Sequence, residues 1–263
     1  MTAPKRVLLV EDDETNQLVA IALLEDMGHS LVTVAANGRE ALDLWARGGF
    51  DVILMDCCMP VMDGYEATAA LRRMGCDVPI IALTASTVPG DRQRCLSIGM
   101  DDYLGKPVNP VQFETCMALW LGTGGATAVA AQAAPAEPVV FDAELTLERF
   151  LGNSRLLGQA TEAFFAQAPR SAVKLADCLA TADATGAREA AHALKGSAAT
   201  IGANQVAATA GAIEQLALSG QLTSALAALT GLEQAMARFS GLVRPHAAAF
   251  PASGVGAMGM ARR

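Results

Sequence analysis

The sequence predicts two folding units: an α/β doubly wound, five-stranded parallel sheet, then an all-α four-helix bundle. Three observations carry this reading. Up to Leu121, short apolar runs alternate with helix-period segments, the mark of repeated βαβ units. From Gly122 to about Pro138 the chain is Gly/Ala/Pro-rich, with Glu137 as its one charge, which reads as a flexible linker. From Phe141 to about His246 the pattern is helical throughout, and long helices joined by short turns pack as an antiparallel bundle. The expected division is 1–121 for the sheet domain, 122–140 for the linker, 141–246 for the bundle and 247–263 for an Ala/Gly-rich, disordered tail.

Taken in order, the strands are Val7–Val10, Leu31–Ala35, Val52–Met55, Ile80–Leu83 and Asp102–Leu104. Most are continuous apolar runs, as expected where helices cover both faces of a parallel sheet. Between and after them, helices are expected near Asn16–Met27, Arg39–Trp45, Tyr65–Met74, Asp91–Ile98 and Val111–Leu121. Right-handed crossovers then give an open sheet, in which function collects at the carboxyl ends of the strands. In the second unit a lead-in helix near Glu144–Phe150 precedes four long ones, near Ser154–Ala180, Ala187–Ile201, Gln205–Ser219 and Thr223–Leu242.

Composition narrows the function. The 263 residues are 52% hydrophobic and 17% charged, ample for buried cores. The net charge of −8 falls entirely within residues 1–121, and the remainder is neutral. Neither half carries the basic patch of a nucleic-acid binder. Six cysteines show no CxxC pair and no framework spacing, which fits reduced thiols in a cytosolic protein. A signal-peptide core is missing, as is an uninterrupted apolar run long enough for a membrane span. The expected location is the cytoplasm, without nucleic acid or membrane as partner.

Strand one runs into Glu11, Asp12 and Asp13, and strand three ends in Asp56. Clustered carboxylates repel one another unless a cation neutralises them. Hard oxygen ligands suit Mg²⁺, which takes one or two carboxylates plus a phosphate oxygen. Strand four delivers the hydroxyl of Thr84, and strand five leads into Lys106. Alone, Asp13 or Thr84 is more simply an ordinary loop or cap residue. Together the set fits phosphoryl transfer onto a carboxylate, with an aspartate as nucleophile and Mg²⁺ and lysine neutralising the phosphoryl oxygens.

These residues carry a resemblance. The segments Val10-Glu11-Asp12-Asp13, Leu54-Met55-Asp56-Cys57-Cys58-Met59-Pro60-Val61-Met62-Asp63-Gly64, Ala82-Leu83-Thr84-Ala85 and Gly105-Lys106-Pro107 resemble the receiver domain of two-component response regulators over residues 5–121. The resemblance implies a flavodoxin-like sheet of order 2-1-3-4-5. It implies that Asp56 accepts phosphate and that Asp12, Asp13, Asp56 and the backbone carbonyl of Cys58 bind Mg²⁺. Thr84 and Lys106 would contact the phosphoryl group, Tyr103 falls at the aromatic switch position, and Pro107 is a candidate to follow a cis peptide bond. Asn16 and the Met-Pro-Val-Met-Asp-Gly run resemble receivers of hybrid kinases more than those attached to DNA-binding domains.

A second constellation centres on His192. At about 100° per residue, Ala187, Ala190, Ala191, Leu194, Ala198 and Ile201 share a core stripe, and His192 lies nearly opposite Leu194 with Lys195, Gly196 and Ala199 beside it. His192 is therefore expected on the solvent face. An interior helical Gly196 costs about 1 kcal/mol against Ala, and close approach of a partner is one candidate for what offsets it. An exposed imidazole can act as a nucleophile. The run Ala191-His192-Ala193-Leu194-Lys195-Gly196-Ser197-Ala198 resembles the histidine phosphotransfer (HPt) domain over about residues 141–246. That resemblance implies that His192 carries phosphate, supported by Lys195 and Gly196.

The chain shows neither a Gly-rich phosphate loop nor the ATP-binding boxes of a histidine kinase. The expectation is a phosphorelay intermediate that is not itself a kinase. Its partners are a sensor or hybrid histidine kinase and other receiver domains. The competing expectation is a phosphorylation-gated interaction module in which His192 is not used. Sequence leaves the direction of transfer open, and also whether it runs within one chain or between chains.

Overall fold

The computed structural model describes residues 5–84, 89–121, 141 and 143–247. The predicted linker, 122–140, and the predicted tail apart from Ala247 lie outside the described residues.

Five parallel strands form one sheet: β1 (Arg6–Val10), β2 (Leu31–Ala35), β3 (Val52–Asp56), β4 (Ile80–Thr84) and β5 (Asp102–Gly105). Their order is β2-β1-β3-β4-β5, the predicted flavodoxin-like arrangement. The register places Val10 beside Met55, Met55 beside Ala82 and Thr84 beside Gly105. The apolar runs of β1, β3 and β4 thus end at one edge of the sheet. Between and after the strands lie α1 (Glu14–Asp26), α2 (Gly38–Trp45), α3 (Gly64–Arg73), α4 (Pro89–Ile98) and α5 (Pro110–Leu121).

Helix starts follow the local chemistry. Asp13, Asn37 and Asp63 cap α1, α2 and α3, their side chains accepting from the backbone N–H of Asn16, Glu40 and Glu66 at 3.0, 3.0 and 2.8 Å. Each satisfies one of the orphan donors of a helix N-terminus.

Alternation along the strands divides the core in two. Leu8, Val10, Ile53, Met55, Ile80 and Ala82 face α2 and α3 and form one apolar cluster. Val7, Leu9, Leu54, Ile81 and Leu83 point the other way, toward α1 and α5.

The second unit is helical: α6 (Ala143–Arg149), α7 (Ser154–Ala180), α8 (Ala184–Thr200), α9 (Asn204–Leu218) and α10 (Leu222–Ala247). Helix α8 begins three residues before the predicted start because Asp183 caps it, accepting from Gly186 N at 2.9 Å. Helix α10 runs past the predicted end at Leu242. The bundle core contains a cluster of edge-packed rings, with Phe239 5.7 Å from Phe141 and 6.0 Å from Phe164 between centroids.

The two units are packed together. Helix α1 lies against α7 and α8, and the apolar cluster on the α1/α5 side of the sheet continues without a break into the bundle core.

Candidate functional site

The carboxyl ends of β1 and β3 bring Glu11, Asp12 and Asp56 together, with one carboxylate oxygen of each within 4.8 Å of the others. Lys106 enters from the loop after β5. Its Nζ lies 2.6 Å from Glu11 Oε2 and 2.8 Å from Asp56 Oδ2. Cys58 N donates to Asp56 Oδ1 at 3.2 Å, and Asn16 Nδ2 donates to Glu11 Oε1 at 3.0 Å. The Lys106–Pro107 bond is cis. Gly64 closes the loop after β3 so tightly that a Cβ there would lie 2.0 Å from the carbonyl oxygen of Asp56, so only glycine fits.

Burial governs the charges. It pushes the Glu11 carboxyl up to about 7 against the pull of Lys106, with Asp56 adding to the rise. Burial and the neighbouring Glu11 raise Asp12 to about 6. Asp56 is raised by burial, with Lys106 opposing. Burial would lower the Lys106 ammonium, but Asp56 and Glu11 outweigh it and hold the group above the ordinary lysine range. Three converging carboxylates against one lysine are what a hard divalent cation relieves.

One predicted assignment is corrected here. Asp13 does not join this cluster, and Glu11 takes its place beside Asp12 and Asp56. The reason is local: Asp13 turns away to cap α1, the role its position three residues before Asn16 offers. Thr84 is buried at the end of β4, and Lys106 N donates to its carbonyl at 2.7 Å. Tyr103 is partly buried against the α3-side core, with the Arg92 guanidinium 5.5 Å from its ring centroid.

On the bundle, His192 projects from α8. Its Nδ1 donates to Glu214 Oε1 at 2.6 Å, while Lys195 Nζ donates to Glu214 Oε2 at 2.8 Å. Burial lowers the imidazole, but Cys58 and Glu214 outweigh it and hold His192 at about 9. Burial raises Glu214, yet His192 and Lys195 prevail and pull it down to about 2. Glu214 takes Nδ1, and the ring also interacts with the Cys58 side chain on the receiver side.

One sequence expectation changes at this point, and one residue is added. His192 is not on a solvent face, because its side chain is only 12% exposed. The sheet domain covers that side of α8: Thr200 Oγ1 donates to Asn16 Oδ1 at 2.7 Å, and Asn16 lies over Gly196. Glu214 lies outside the motif that marks the helix of His192. It is the single charged residue of α9 and follows the stripe Val206, Ala210, Ile213, a signal that a polar partner waits across the bundle.

A cavity of about 630 Å³ joins the two halves. Cys58 and Thr84 line it from the sheet side, and His192, Lys195 and Glu214 from the bundle side. The loop that follows Asp56 and a hydrogen-bonded imidazole thus line one chamber from opposite walls.

Comparison with known proteins agrees with this division. Residues 7–117 match the family model for the response regulator receiver domain, and residues 159–241 match that for the Hpt domain. The chain is 34% identical over 254 residues to the sensor histidine kinase GacS of Pseudomonas protegens, covering 92% of this chain and 27% of that protein. It is 43% identical over 117 residues to hybrid signal transduction histidine kinase B of Dictyostelium discoideum, covering 40% of this chain and 6% of that protein. The chain therefore spans about a quarter or less of the length of these relatives. Among solved structures it is similar to the receiver domain of a Pseudomonas aeruginosa sensor histidine kinase with magnesium coordinated in its active-site cleft. That likeness has 45% identity and a TM-score of 0.43, and covers 46% of this chain and all of the other. No helix among the described residues is long and apolar enough to cross a membrane.

Proposed function

We propose that this chain, which joins a response regulator receiver domain to an Hpt domain, is a phosphorelay intermediate. Asp56 accepts a phosphoryl group and His192 carries one. The observation that supports this most is the shared chamber, with the Asp56 loop on one wall and His192 held by Glu214 on the other.

In this reading a carboxylate oxygen of Asp56 is the nucleophile toward phosphorus. Lys106 already touches Asp56 and neutralises the incoming phosphoryl oxygens. Thr84 orients one of those oxygens from the end of β4. Glu11, Asp12, Asp56 and the Cys58 carbonyl would hold Mg²⁺, which when bound supplies charge neutralisation for the phosphoryl group. Tyr103 reports the state of Asp56 through β5. On the bundle, Glu214 keeps the proton of His192 on Nδ1 and so presents Nε2, and Lys195 balances the carboxylate. The partners are a sensor or hybrid histidine kinase, as the relatives suggest, and other receivers. The sheet domain extends over 1–121 and the bundle over 141–246.

The test is residue-resolved labelling of the purified chain with Mg²⁺ and acetyl phosphate. Base-labile label lost in Asp56→Asn, and acid-labile label lost in His192→Gln, are expected. A chain that takes no label in wild type but folds normally overturns the reading.

A further inference from the structure

We infer that the receiver and bundle of one chain form a closed unit in which His192 serves Asp56 of that same chain, and that outside partners reach His192 only when this interface opens. The inference rests on the phosphorelay reading and names the partner of His192 within it.

Three independent features meet at the interface. The first is apolar. Val19, Ala20 and Leu23 of α1 and Leu157, Ala160 and Leu194 of the bundle belong to one continuous buried cluster, and α1 packs on both α7 and α8. Opening it exposes that apolar surface to water, which the hydrophobic effect opposes.

The second is polar and registers the two units. Thr200 Oγ1 donates to Asn16 Oδ1 at 2.7 Å. One turn back, a Cβ on Gly196 would sit 3.7 Å from Asn16 Nδ2, so α1 comes as close as a glycine or alanine allows. His192, Gly196 and Thr200 are spaced at i, i+4 and i+8 and share one face of α8. That face is the one the receiver covers.

The third is the chamber itself. Its walls come from both units, and His192 and Lys195 are 12% and 27% exposed. Another receiver cannot lie on this face of α8 while the chain's own α1 occupies it. The covalent connection through residues 122–140 holds the two faces at high effective concentration, on the order of millimolar for short tethers.

The step within the closed unit balances with water as the proton acceptor. His192 gives up the Nε2 proton of its cationic form, and Nε2 then attacks phosphorus and forms an N–P bond. The bond from phosphorus to the Asp56 carboxylate oxygen breaks, and its electron pair returns to Asp56. The proton stays on Nδ1, where Glu214 offsets the charge of the phosphorylated ring. The reverse step restores the acyl phosphate.

The experiment uses the full chain with Mg²⁺ and acetyl phosphate. In wild type, His192 should gain label from Asp56 at a rate independent of chain concentration. An equimolar mixture of Asp56→Asn and His192→Gln chains, at about 10 µM, should label His192 about a hundredfold more slowly, the ratio of that concentration to the tethered one. Thr200→Arg places an unpaired charge against α1, and should slow transfer within the chain roughly tenfold or more while Asp56 still labels. Ala20→Arg approaches the interface from the receiver side and should slow transfer within the chain alike, which guards against a misfolded bundle. Put into the Asp56→Asn chain of the mixture, it frees an unaltered His192 face and should speed transfer between chains. A mixture as fast as wild type, or a wild-type rate proportional to concentration, overturns the closed unit and leaves the relay reading standing. Wild-type Asp56 that takes no label overturns the relay reading itself.

Discussion

Glu214 joins two cations through one carboxylate, and its effect on stability should follow pH in a defined window. His192 is held near 9 in the folded chain against an ordinary 6.5. Its contribution is full below about pH 6.5 and disappears as pH rises through 9. Glu214 is held near 2 against an ordinary 4.5, so its contribution is full above about 4.5 and disappears as pH falls through 2. The difference in melting temperature between wild type and Glu214→Gln should be largest between those limits, around pH 4.5–6.5, and shrink on either side. Lys106 bridges Glu11 and Asp56 in a buried site. Lys106→Met leaves two carboxylates without a counter-charge, and urea unfolding at pH 7 should show a loss of about 3–5 kcal/mol. Individual residues were legible in sequence where an apolar run stops abruptly at a charge, as at Val10–Glu11 and Met55–Asp56. Glu214 was not, because its partner lies 22 residues away on another helix, beyond any single-helix pattern.

Each helix is set by its first turn, and α1 shows how much can hang on one residue of offset. Glu11 and Asp13 are alike as carboxylates, but the chain leaves the strand after Val10 and turns into α1 at Glu14. That turn commits Asp13 to the cap and leaves Glu11 facing Lys106. Sequence patterning placed the strand and helix but could not say which carboxylate the turn would consume. The two roles separate by measurement. Asp13→Ala should cost about 1 kcal/mol in chemical denaturation, the usual worth of an N-cap, and leave Mg²⁺ binding in place by calorimetric titration. Glu11→Gln should do the reverse, weakening Mg²⁺ binding. Helices α8 and α9 were also legible as elements, since small residues at helical spacing mark their buried stripes. Their outward face was not, because a helical wheel reads one helix against its own bundle and carries no news of a second domain.

At the scale of the whole molecule, the receiver and bundle share a core rather than merely a tether. The expected consequence is a single unfolding transition in calorimetry, with coincident loss of sheet and helix signals. Thr200→Arg should split that transition in two, each near the stability of its own unit. The number of units and their order were legible, because periodicity changes from strand–helix alternation to unbroken helix at one place. It could not give their contact, which is written in surface residues such as Asn16, Ala20 and Thr200 that look unremarkable one at a time. Asn16 carries a further consequence. Its amide donates to Glu11 in the carboxylate cluster and accepts from Thr200 across the interface. A single side chain thus belongs to two equilibria, so they are thermodynamically linked. Any event at the cluster that repositions Asn16 shifts the balance between joined and separated units, and separation changes the affinity of the cluster by the same factor.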